Sequence, residues 1–342
     1  MQDKGGKAPS DRGYRRGQRA YVILGGMLVI LPELLVVLLG SSDPVLSTLS
    51  AVLTSTVLLS LYSLFYFRTE RKYRGVSATL TDYFRSGLPL YVISNILIFF
   101  TIGMIYLLPR LGFATIIYVD AVFAPMYLVL ARFPIGLRMG QRAEPLTDTK
   151  ILSAAGEMAQ RMDVDNVKLY TVDWRRFRTA NAFQVGPRRF SIYVSNYLLD
   201  NLSSEEVNAV LAHELAHAKK RHVMKSMALI FFPTIVEMNV LVLGYVITQT
   251  NLVLGSIVFA AGFAAIFLEP RIAFRFQRRF ELEADMIAVR TMGDGRPLIS
   301  ALEKLSALNL VPGGRRSRTH PSVIERIRRI EQLSEGDLAN VK

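Results

Sequence analysis

Val210-Leu-Ala-His-Glu-Leu-Ala-His-Ala-Lys-Lys220 contains two histidines four residues apart, with a glutamate directly after the first. Because positions i and i+4 lie on the same face of a helix, the imidazoles of His213 and His217 can bind one zinc ion. Glu214 then lies beside the water on that ion, where it can act as a general base. An ordinary surface helix could also carry two histidines, but three of the chain's four histidines fall within ten residues here. The stretch therefore predicts a zinc site on a helix.

Long apolar segments separate the polar parts of the chain, and hydrophobic residues make up 51% of its 342 positions. Several segments are about long enough to cross the hydrocarbon core of a bilayer. We count six such spans: Ala20–Leu39, Val45–Phe67, Leu88–Leu108, Leu111–Ala131, Ser226–Ile247 and Leu252–Leu268. The expected fold class is therefore an α-helical multi-pass membrane protein.

These spans divide the chain into five parts. Residues 1–19 are expected to be a disordered basic N-terminus, and residues 20–131 to form four transmembrane helices. Residues 132–225 form a polar part that contains the histidine helix, and residues 226–268 form two further spans. Residues 269–342 are expected to be a helical part that completes the zinc site.

The charge distribution predicts the orientation in the membrane. Residues 1–19 contain six Lys or Arg and residues 68–87 contain five, whereas the turns at 40–44 and 248–252 contain none. The positive-inside rule then places both termini and the zinc site in the cytoplasm, and we expect the cell membrane as the location. Basic flanks of spans account for the net charge of +13, so we expect lipid headgroups and no nucleic acid as partners. The absence of cysteine excludes disulfides and thiol chemistry.

The polar parts predict a mainly helical α+β domain with a small β-sheet. Ser203-Ser-Glu-Glu206 has the form of a capping box that begins the histidine helix. Strands are predicted at Val167–Val172 and Phe190–Val194, with an extended piece at Thr179–Phe183 between them. Gln141–Thr147 has the composition of a polar linker. Further helices are predicted at Asp148–Met162, Arg271–Met292, Pro297–Leu308 and from Ser322 onward.

A third zinc ligand has to come from elsewhere in the chain, because a catalytic site needs three protein ligands and an open position. His222 is a poor candidate, since nine residues along one helix place it half a turn away from His213. Glu281 and Asp285 share a helix face, while Glu283 points nearly opposite. One of the two carboxylates can bind the metal and the other can hold a ligand histidine. A charged face that pairs with neighbouring arginines is an equally good interpretation of this spacing.

Several separated motifs occur together in one order along the chain. They are Asn181-Ala-Phe183, Tyr193-Val-Ser195, Leu198-Leu-Asp200, Glu205–His222, Arg279–Asp285, and Thr319-His-Pro-Ser322 with Arg326. In this combination the chain resembles the membrane-embedded zinc metalloproteases that include the heat-shock protease HtpX and the CaaX prenyl proteases. The resemblance covers roughly residues 145–335, and residues 1–130 match only as generic membrane spans.

The resemblance implies a role for each matched residue. One zinc ion per chain would be held by His213, His217 and Glu281, with Glu214 as the base. Asp285 would hold the second nitrogen of a ligand histidine. His320 and Arg326 would stabilise the oxyanion of the transition state. The edge strand that aligns the substrate backbone would contain Asn181, Ala182 and Phe183.

The chain also departs from the family pattern. Gln184 stands where many relatives have a small residue, and Ala216 where glycine is common, so these departures concern the fit of a substrate near the cleft more than the chemistry. Six spans match neither the four usual in the HtpX branch nor the seven of the prenyl-protease branch, and the branch stays open.

These features predict an integral-membrane zinc endopeptidase that cuts membrane-protein or unfolded polypeptide segments at the cytoplasmic membrane surface. Processing of prenylated CaaX proteins is the alternative within the family. Two other classes are a transporter, which Glu33, Asp120 and Glu237 within the spans would suit, and a catalytically inactive scaffold stabilised by zinc. The sequence does not predict an oligomeric state.

Overall fold

A computed structural model describes most of the chain. It covers residues 11–39, 44–88, 91–92, 95, 143–186, 190–311, 313–314, 317 and 319–339. Packing contacts divide the chain into two units, and each is described separately below. The first unit comprises Met1–Met126 and Pro134–Gln141, and the second comprises Tyr127–Phe133 and Arg142–Lys342.

The first unit contains two long helices, α1 (Asp11–Leu39) and α2 (Pro44–Arg74), and residues 80–88 are also helical. They include the first two predicted spans. α1 begins at Asp11, inside the stretch 1–19 that we expected to be disordered, while residues 1–10 are outside the described part. The third and fourth predicted spans, with Asp120, fall almost entirely on residues that lie outside the described ranges.

α1 packs along α2 through apolar and polar contacts. Leu28, Leu58 and Leu59 are buried between the helices, and the Tyr14 hydroxyl donates a hydrogen bond of 3.0 Å to Glu70 Oε1. Gly17 lies against the Thr69 side chain, where a Cβ atom would approach the threonine within 2.5 Å. A side chain at this position would therefore push the two helices apart.

The second unit contains a four-stranded mixed sheet. The strands are β1 (Ala143–Pro145), β2 (Lys168–Val172), β3 (Ala182–Val185) and β4 (Ser191–Ser195), in the order β1-β2-β4-β3. β2 and β4 are parallel, and the two outer strands run antiparallel to their neighbours. The predicted strands are present at nearly their expected bounds. The linker predicted at Gln141–Thr147 instead contributes β1, which is too short and too polar to show an alternating pattern.

An aromatic ladder crosses one face of this sheet. Phe183 on β3, Tyr193 on β4 and Tyr170 on β2 are neighbours in register, and their rings stack at centroid distances of 5.3 and 5.1 Å. Trp174 stacks on the outer side of Phe183 at 5.7 Å. Cross-strand aromatic pairs of this kind fix strand register. β3 is thereby held in place as an edge strand, with one side paired to β4.

The histidine stretch lies on α5 (Ser204–Lys219), which follows α4 (Asn196–Asn201). The predicted capping box is present: Ser203 Oγ accepts from the Glu206 N–H, and the Glu206 carboxylate accepts from the Ser203 N–H. Leu211, Ala212 and Leu215 are completely buried. They face a core that also contains residues of the sheet, of α3 (Thr149–Arg161) and of the helices described next.

Two long helices complete the membrane part of this unit. α6 (His222–Thr248) does not continue α5, because Arg221 adopts the left-handed conformation with φ 52° and separates the two helices. α7 (Leu252–Met292) is a single helix of 41 residues, although a boundary was predicted between the sixth span and a helix at Arg271–Met292. α2, α6 and α7 are, among the described residues, long and apolar enough to cross a membrane.

Two shorter helices close the unit. α8 (Arg296–Leu308) and α9 (Val323–Ala339) occupy the positions that the sequence predicted. Glu206 joins α5 to α8, since its carboxylate accepts from Ser300 Oγ at 2.6 Å and pairs with Lys304 Nζ at 2.7 Å. Burial disfavours the charged form of Glu206, but these bonds and the Ser203 N–H outweigh it and lower its pKa to about 2.

Candidate metal centre

Three side chains from two helices bring their donor atoms together. His213 Nε2 and His217 Nε2 are 3.1 Å apart on α5, one helical turn from each other. Glu281 on α7 reaches both, with Oε1 at 3.4 Å from His217 Nε2 and Oε2 at 3.7 Å from His213 Nε2. One donor atom from each of the three residues lies within 4.8 Å of the others.

The chemistry of this donor set fits a zinc ion. Two imidazole nitrogens and one carboxylate oxygen are a ligand set that zinc uses when a fourth position stays open for water. Burial lowers the pKa of His217, but its hydrogen bond to Glu281 and the charges of Glu281, Glu214 and Asp285 outweigh this effect and raise it. The negative charges that raise the pKa of His217 also favour the binding of a divalent cation beside it. Of the two carboxylates left open by spacing, Glu281 is the one that joins the histidines.

Asp285 lies behind His213. Its Oδ1 is 2.9 Å from His213 Nδ1, and Asp285 is 2% exposed. Arg326 on α9 holds the carboxylate from the other side, with Nε at 2.7 Å from Oδ2 and Nη2 at 2.6 Å from Oδ1. A two-point pair of this kind is both strong and directional. His213 is thus oriented by a buried aspartate that is itself fixed by a buried arginine.

His222 lies behind His217, in contrast to the expectation that it faces away. Its Nδ1 is 3.0 Å from His217 Nδ1, and its Nε2 is 3.3 Å from Glu283 Oε2. The prediction assumed one continuous helix, and the break at Arg221 removes that assumption. Glu283, expected to point nearly opposite to Glu281, therefore contacts the metal centre indirectly through His222. No local signal in the sequence marks this pair, because nothing in the sequence assigns the left-handed conformation to Arg221.

Glu214 and the metal donors line a cleft of about 300 Å³. Glu214 is 9% exposed. Residues from Asn181 to Gln184, at the start of the edge strand, line part of the cleft, and a set of apolar side chains, called here the apolar wall, lines another part. The apolar wall consists of Val210, Val223, Leu298, Ala301, Leu302 and Leu305. All three edge-strand residues named from the sequence, Asn181, Ala182 and Phe183, thus lie at this cleft.

His320 and Arg326 also line the cleft, but they differ in how they are held. His320 is 55% exposed at its side chain, and its Nδ1 lies 2.8 Å from Glu281 Oε2. Arg326 directs Nε and Nη2 to Asp285, and its Nη1 lies 3.6 Å from Glu281 Oε2. Arg326 therefore has a structural contact with Asp285 that its expected role at the oxyanion did not include.

Two residues, one beside the cleft and one lining it, have contacts that the sequence did not indicate. Asn309, at the C-terminus of α8, donates from Nδ2 to the Ala180 carbonyl at 2.7 Å and accepts from the Ala180 N–H at 3.2 Å. This pair of bonds ties the apolar wall to the residue before Asn181. Gln184 donates to the Gly186 carbonyl at 2.9 Å, while its buried Oε1 has no hydrogen-bond partner among the described residues. The sequence marked Gln184 only as a departure from relatives.

Comparison with known proteins gives consistent results. A family model described as Peptidase family M48 matches residues 145–334, which is more than half of the chain. Protease HtpX of Legionella pneumophila (strain Corby) is 29% identical over 199 residues, covering 53% of this chain and 66% of the relative. A protease HtpX homolog of Neisseria meningitidis serogroup C is 33% identical over 180 residues, covering 45% and 62%. This chain thus matches less than two thirds of the length of either relative.

A solved structure shares the fold. The crystal structure of S. mikatae Ste24p superimposes with a TM-score of 0.65 and covers 94% of this chain and 87% of that one. Sequence identity is 16%, so the likeness concerns the fold alone. The helices and the small sheet described above therefore form a known architecture.

Proposed function

The chain belongs to peptidase family M48, and on that premise we propose that it is an integral-membrane zinc endopeptidase. One observation carries the proposal. The His213–His217–Glu281 donor set, Glu214 and the edge strand β3 all line the same cleft. A scaffold stabilised by zinc would need the ligands but neither the free carboxylate nor the strand beside it. A transporter would need none of the three.

Each residue at the cleft has a task in peptide hydrolysis. His213, His217 and Glu281 would hold zinc, which when bound lowers the pKa of water and polarises a carbonyl group. Glu214 takes a proton from the attacking water and gives it to the leaving amine. His320 and Arg326 reach the cleft as hydrogen-bond donors and stabilise the negative charge that develops on the carbonyl oxygen. For Arg326 this task falls to Nη1, because Nε and Nη2 bind Asp285.

Substrate binding uses the open side of β3. An extended peptide can pair with an edge strand through backbone hydrogen bonds, which read little of the side-chain sequence. The aromatic ladder from Phe183 to Tyr170 and the Asn309–Ala180 bonds hold this strand in position. In a folded protein most extended backbone is already paired within a sheet, so the cleft favours unfolded or loosely structured segments.

The membrane helices favour substrates at the bilayer surface. α6 begins at His222, directly after the histidine helix, and Glu281 lies on the same helix as the apolar segment at Leu252–Leu268. The metal centre is therefore within a short length of chain from two spans. We propose that it acts at the cytoplasmic surface, in agreement with the basic residues at 1–19 and 68–87, on segments of membrane proteins.

A reconstituted protein with zinc tests the proposal. It is incubated with a misfolded membrane protein in one arm and with a farnesylated CaaX peptide in the other. We expect cleavage of the misfolded protein, loss of cleavage by about 10²- to 10⁴-fold in Glu214→Gln, and unchanged zinc content in that variant. Glu205→Gln, an exposed glutamate on the same helix, is the matched control.

Three results would contradict the proposal. Cleavage of the peptide alone, dependent on its lipid, would indicate prenyl-protein processing in place of cleavage of unfolded or membrane-protein segments. Stoichiometric zinc without cleavage of any substrate would indicate a scaffold. Full activity of Glu214→Gln would remove this residue from the mechanism.

A further inference from the structure

The break between α5 and α6 creates a contact that a continuous helix would not allow. Arg221 has φ 52° and ψ 40°, which is the left-handed region, and the chain changes direction there. His222, the first residue of α6, is therefore turned back toward the metal centre. Its ring lies at a centroid distance of 5.0 Å from His217, in an edge-to-face arrangement with an angle of 75°.

The position of His222 is fixed from several directions. Its ring stacks on Phe280 of α7 at 4.4 Å and 12°, and the residue is 2% exposed. Its Nε2 lies 3.3 Å from Glu283 Oε2, and Glu283 Oε1 pairs with Lys220 Nζ at 2.7 Å. Lys220, Glu283 and His222 thus form a chain of contacts that ends at His217 Nδ1.

The proton positions along this chain follow from the donor set. His217 faces His213 and Glu281 with Nε2, so a metal held by these three residues leaves the ring proton of His217 on Nδ1. Nδ1 of His217 then donates to Nδ1 of His222, which has to accept. The proton of neutral His222 is consequently on Nε2, where it donates to the Glu283 carboxylate. Every donor in the series meets an acceptor.

We propose that His222, anchored by Glu283, is a positioning residue that orients the zinc ligand His217. The pair does for His217 what Asp285 does for His213, because each ligand ring is held through its second nitrogen. The inference rests on the proposed function in one respect, which is that the ion held here is zinc. It does not require that the chain cleave any particular substrate.

Two substitutions at His222 separate hydrogen bonding from packing. His222→Phe keeps an aromatic ring to stack on Phe280 but removes the acceptor for His217. His222→Asn loses the stacking ring but places an amide oxygen close to the former Nδ1. If His222 acts as an acceptor, the asparagine variant retains function where the phenylalanine variant does not. If it only fills space, the order is reversed.

Zinc affinity is the measurement, by competition with a fluorescent chelator on the full-length protein in detergent. All variants are made in the Glu214→Gln background, so that self-cleavage cannot alter the sample. We expect zinc affinity to fall about 10- to 100-fold in His222→Phe and by less than about threefold in His222→Asn. Glu283→Gln, at a partly exposed side chain, should weaken binding by a few fold, and the exposed Glu157→Gln is its control.

The outcomes separate this inference from the proposed protease activity. Normal zinc affinity in His222→Phe would overturn the inference, even if the wild-type protein is a protease. Reduced affinity in His222→Asn together with normal affinity in His222→Phe would overturn it as well. Reduced zinc affinity in His222→Phe together with nearly normal zinc affinity in His222→Asn would support it, even if no substrate is cleaved. If a His222 variant fails to fold, the zinc affinity of Glu283→Gln is compared with that of the control Glu157→Gln. Weaker binding in Glu283→Gln alone would support the inference, and equal binding would overturn it.

Discussion

The two histidines of the metal centre are held in opposite ways. Behind His213, the Asp285 carboxylate and the Arg326 guanidinium form a two-point ion pair that is buried inside the protein. Behind His217, His222 accepts the contact without a charge of its own, and the charged partners Glu283 and Lys220 lie near the surface. Both arrangements fix a ring through its second nitrogen. They differ in how much the fold depends on them, because an unpaired charge is far more costly in the interior than in water.

The Asp285–Arg326 ion pair is called here the buried support of His213, and the Glu283–His222 pair the outer support of His217. Of the changes considered, removal of Arg326 from the buried support should have the largest effect on stability. Arg326→Ala leaves the buried Asp285 carboxylate without its cationic partner and with His213 as its remaining contact, which should lower the free energy of unfolding by about 3–5 kcal/mol. Because Arg326 holds Asp285 and Asp285 holds His213, the same variant should also bind zinc more weakly. Denaturant titration in detergent is the measurement. The exposed Arg328→Ala on the same helix is the control, and equal stability of the two variants would contradict the prediction.

Asp285 tests the same support by way of zinc affinity. Asp285→Ala should weaken zinc binding about 10- to 100-fold, because His213 loses the partner of its second nitrogen. Asp285→Asn keeps an oxygen in the same place and should retain more of the affinity. Chelator competition at matched folded fraction measures both. If the alanine and asparagine variants bind zinc equally well, the hydrogen bond to His213 is not what Asp285 contributes.

Glu206 should affect both supports equally, because it fixes the helix that carries both histidines. Glu206→Gln should lower the free energy of unfolding by about 1–2 kcal/mol, since the ion pair with Lys304 is lost. The pKa of Glu206 is lowered from 4.5 to about 2, so its contribution is complete above pH 4.5 and is lost as the pH falls toward 2. Between these pH values the free energy of unfolding should fall more steeply in the wild type than in the variant, which keeps the other carboxylates with lowered pKa values, such as Asp285. Glu205→Gln should behave as the wild type.

Lys220 should give the smallest effect of the four. It pairs with Glu283 at a partly exposed position, and such pairs contribute about 0–1 kcal/mol. Lys220→Met should therefore change zinc affinity by no more than about twofold, and 1 M salt should remove most of the difference. Zinc affinity measured at low and high salt tests this. A loss as large as that of Asp285→Ala would mean that the outer support is as closely coupled to the metal as the buried one.

Contacts between residues close together on one helix were predictable from the sequence. Contacts that depend on the direction in which the chain continues after a helix were not. The capping box at Ser203 and the one-turn spacing of His213 and His217 are local, and both are found as expected. His222 depends on a left-handed residue at Arg221, a conformation that no rule assigns to arginine. Its contact with His217 could only be seen once the direction of α6 was known.

The helix that carries Glu281 shows the same limit. The sixth predicted span ended at Leu268 and the next predicted helix began at Arg271, yet α7 continues through both and contains Pro270. Proline ends a helix in isolation, but neighbouring helices can supply what it removes. Partners far apart in sequence were also out of reach, such as Asn309 with Ala180 and Arg326 with Asp285. The spacing of residues within one helix predicts which face of that helix each residue lies on. The residue that contacts it from another segment can be identified only from the three-dimensional fold.

The continuity of α7 has a mechanical consequence. Glu281 lies 13 residues beyond Leu268, the end of the predicted apolar segment, which is about 20 Å along a rigid helix. A tilt of about 5° in that segment moves the carboxylate by about 1.7 Å, and a misplacement of about 1 Å at a reacting centre can cost 10²-fold in rate. Helices tilt to match bilayer thickness. For the proposed protease we therefore expect turnover to depend on bilayer thickness, so that one sequence would have different activities in thin and thick membranes.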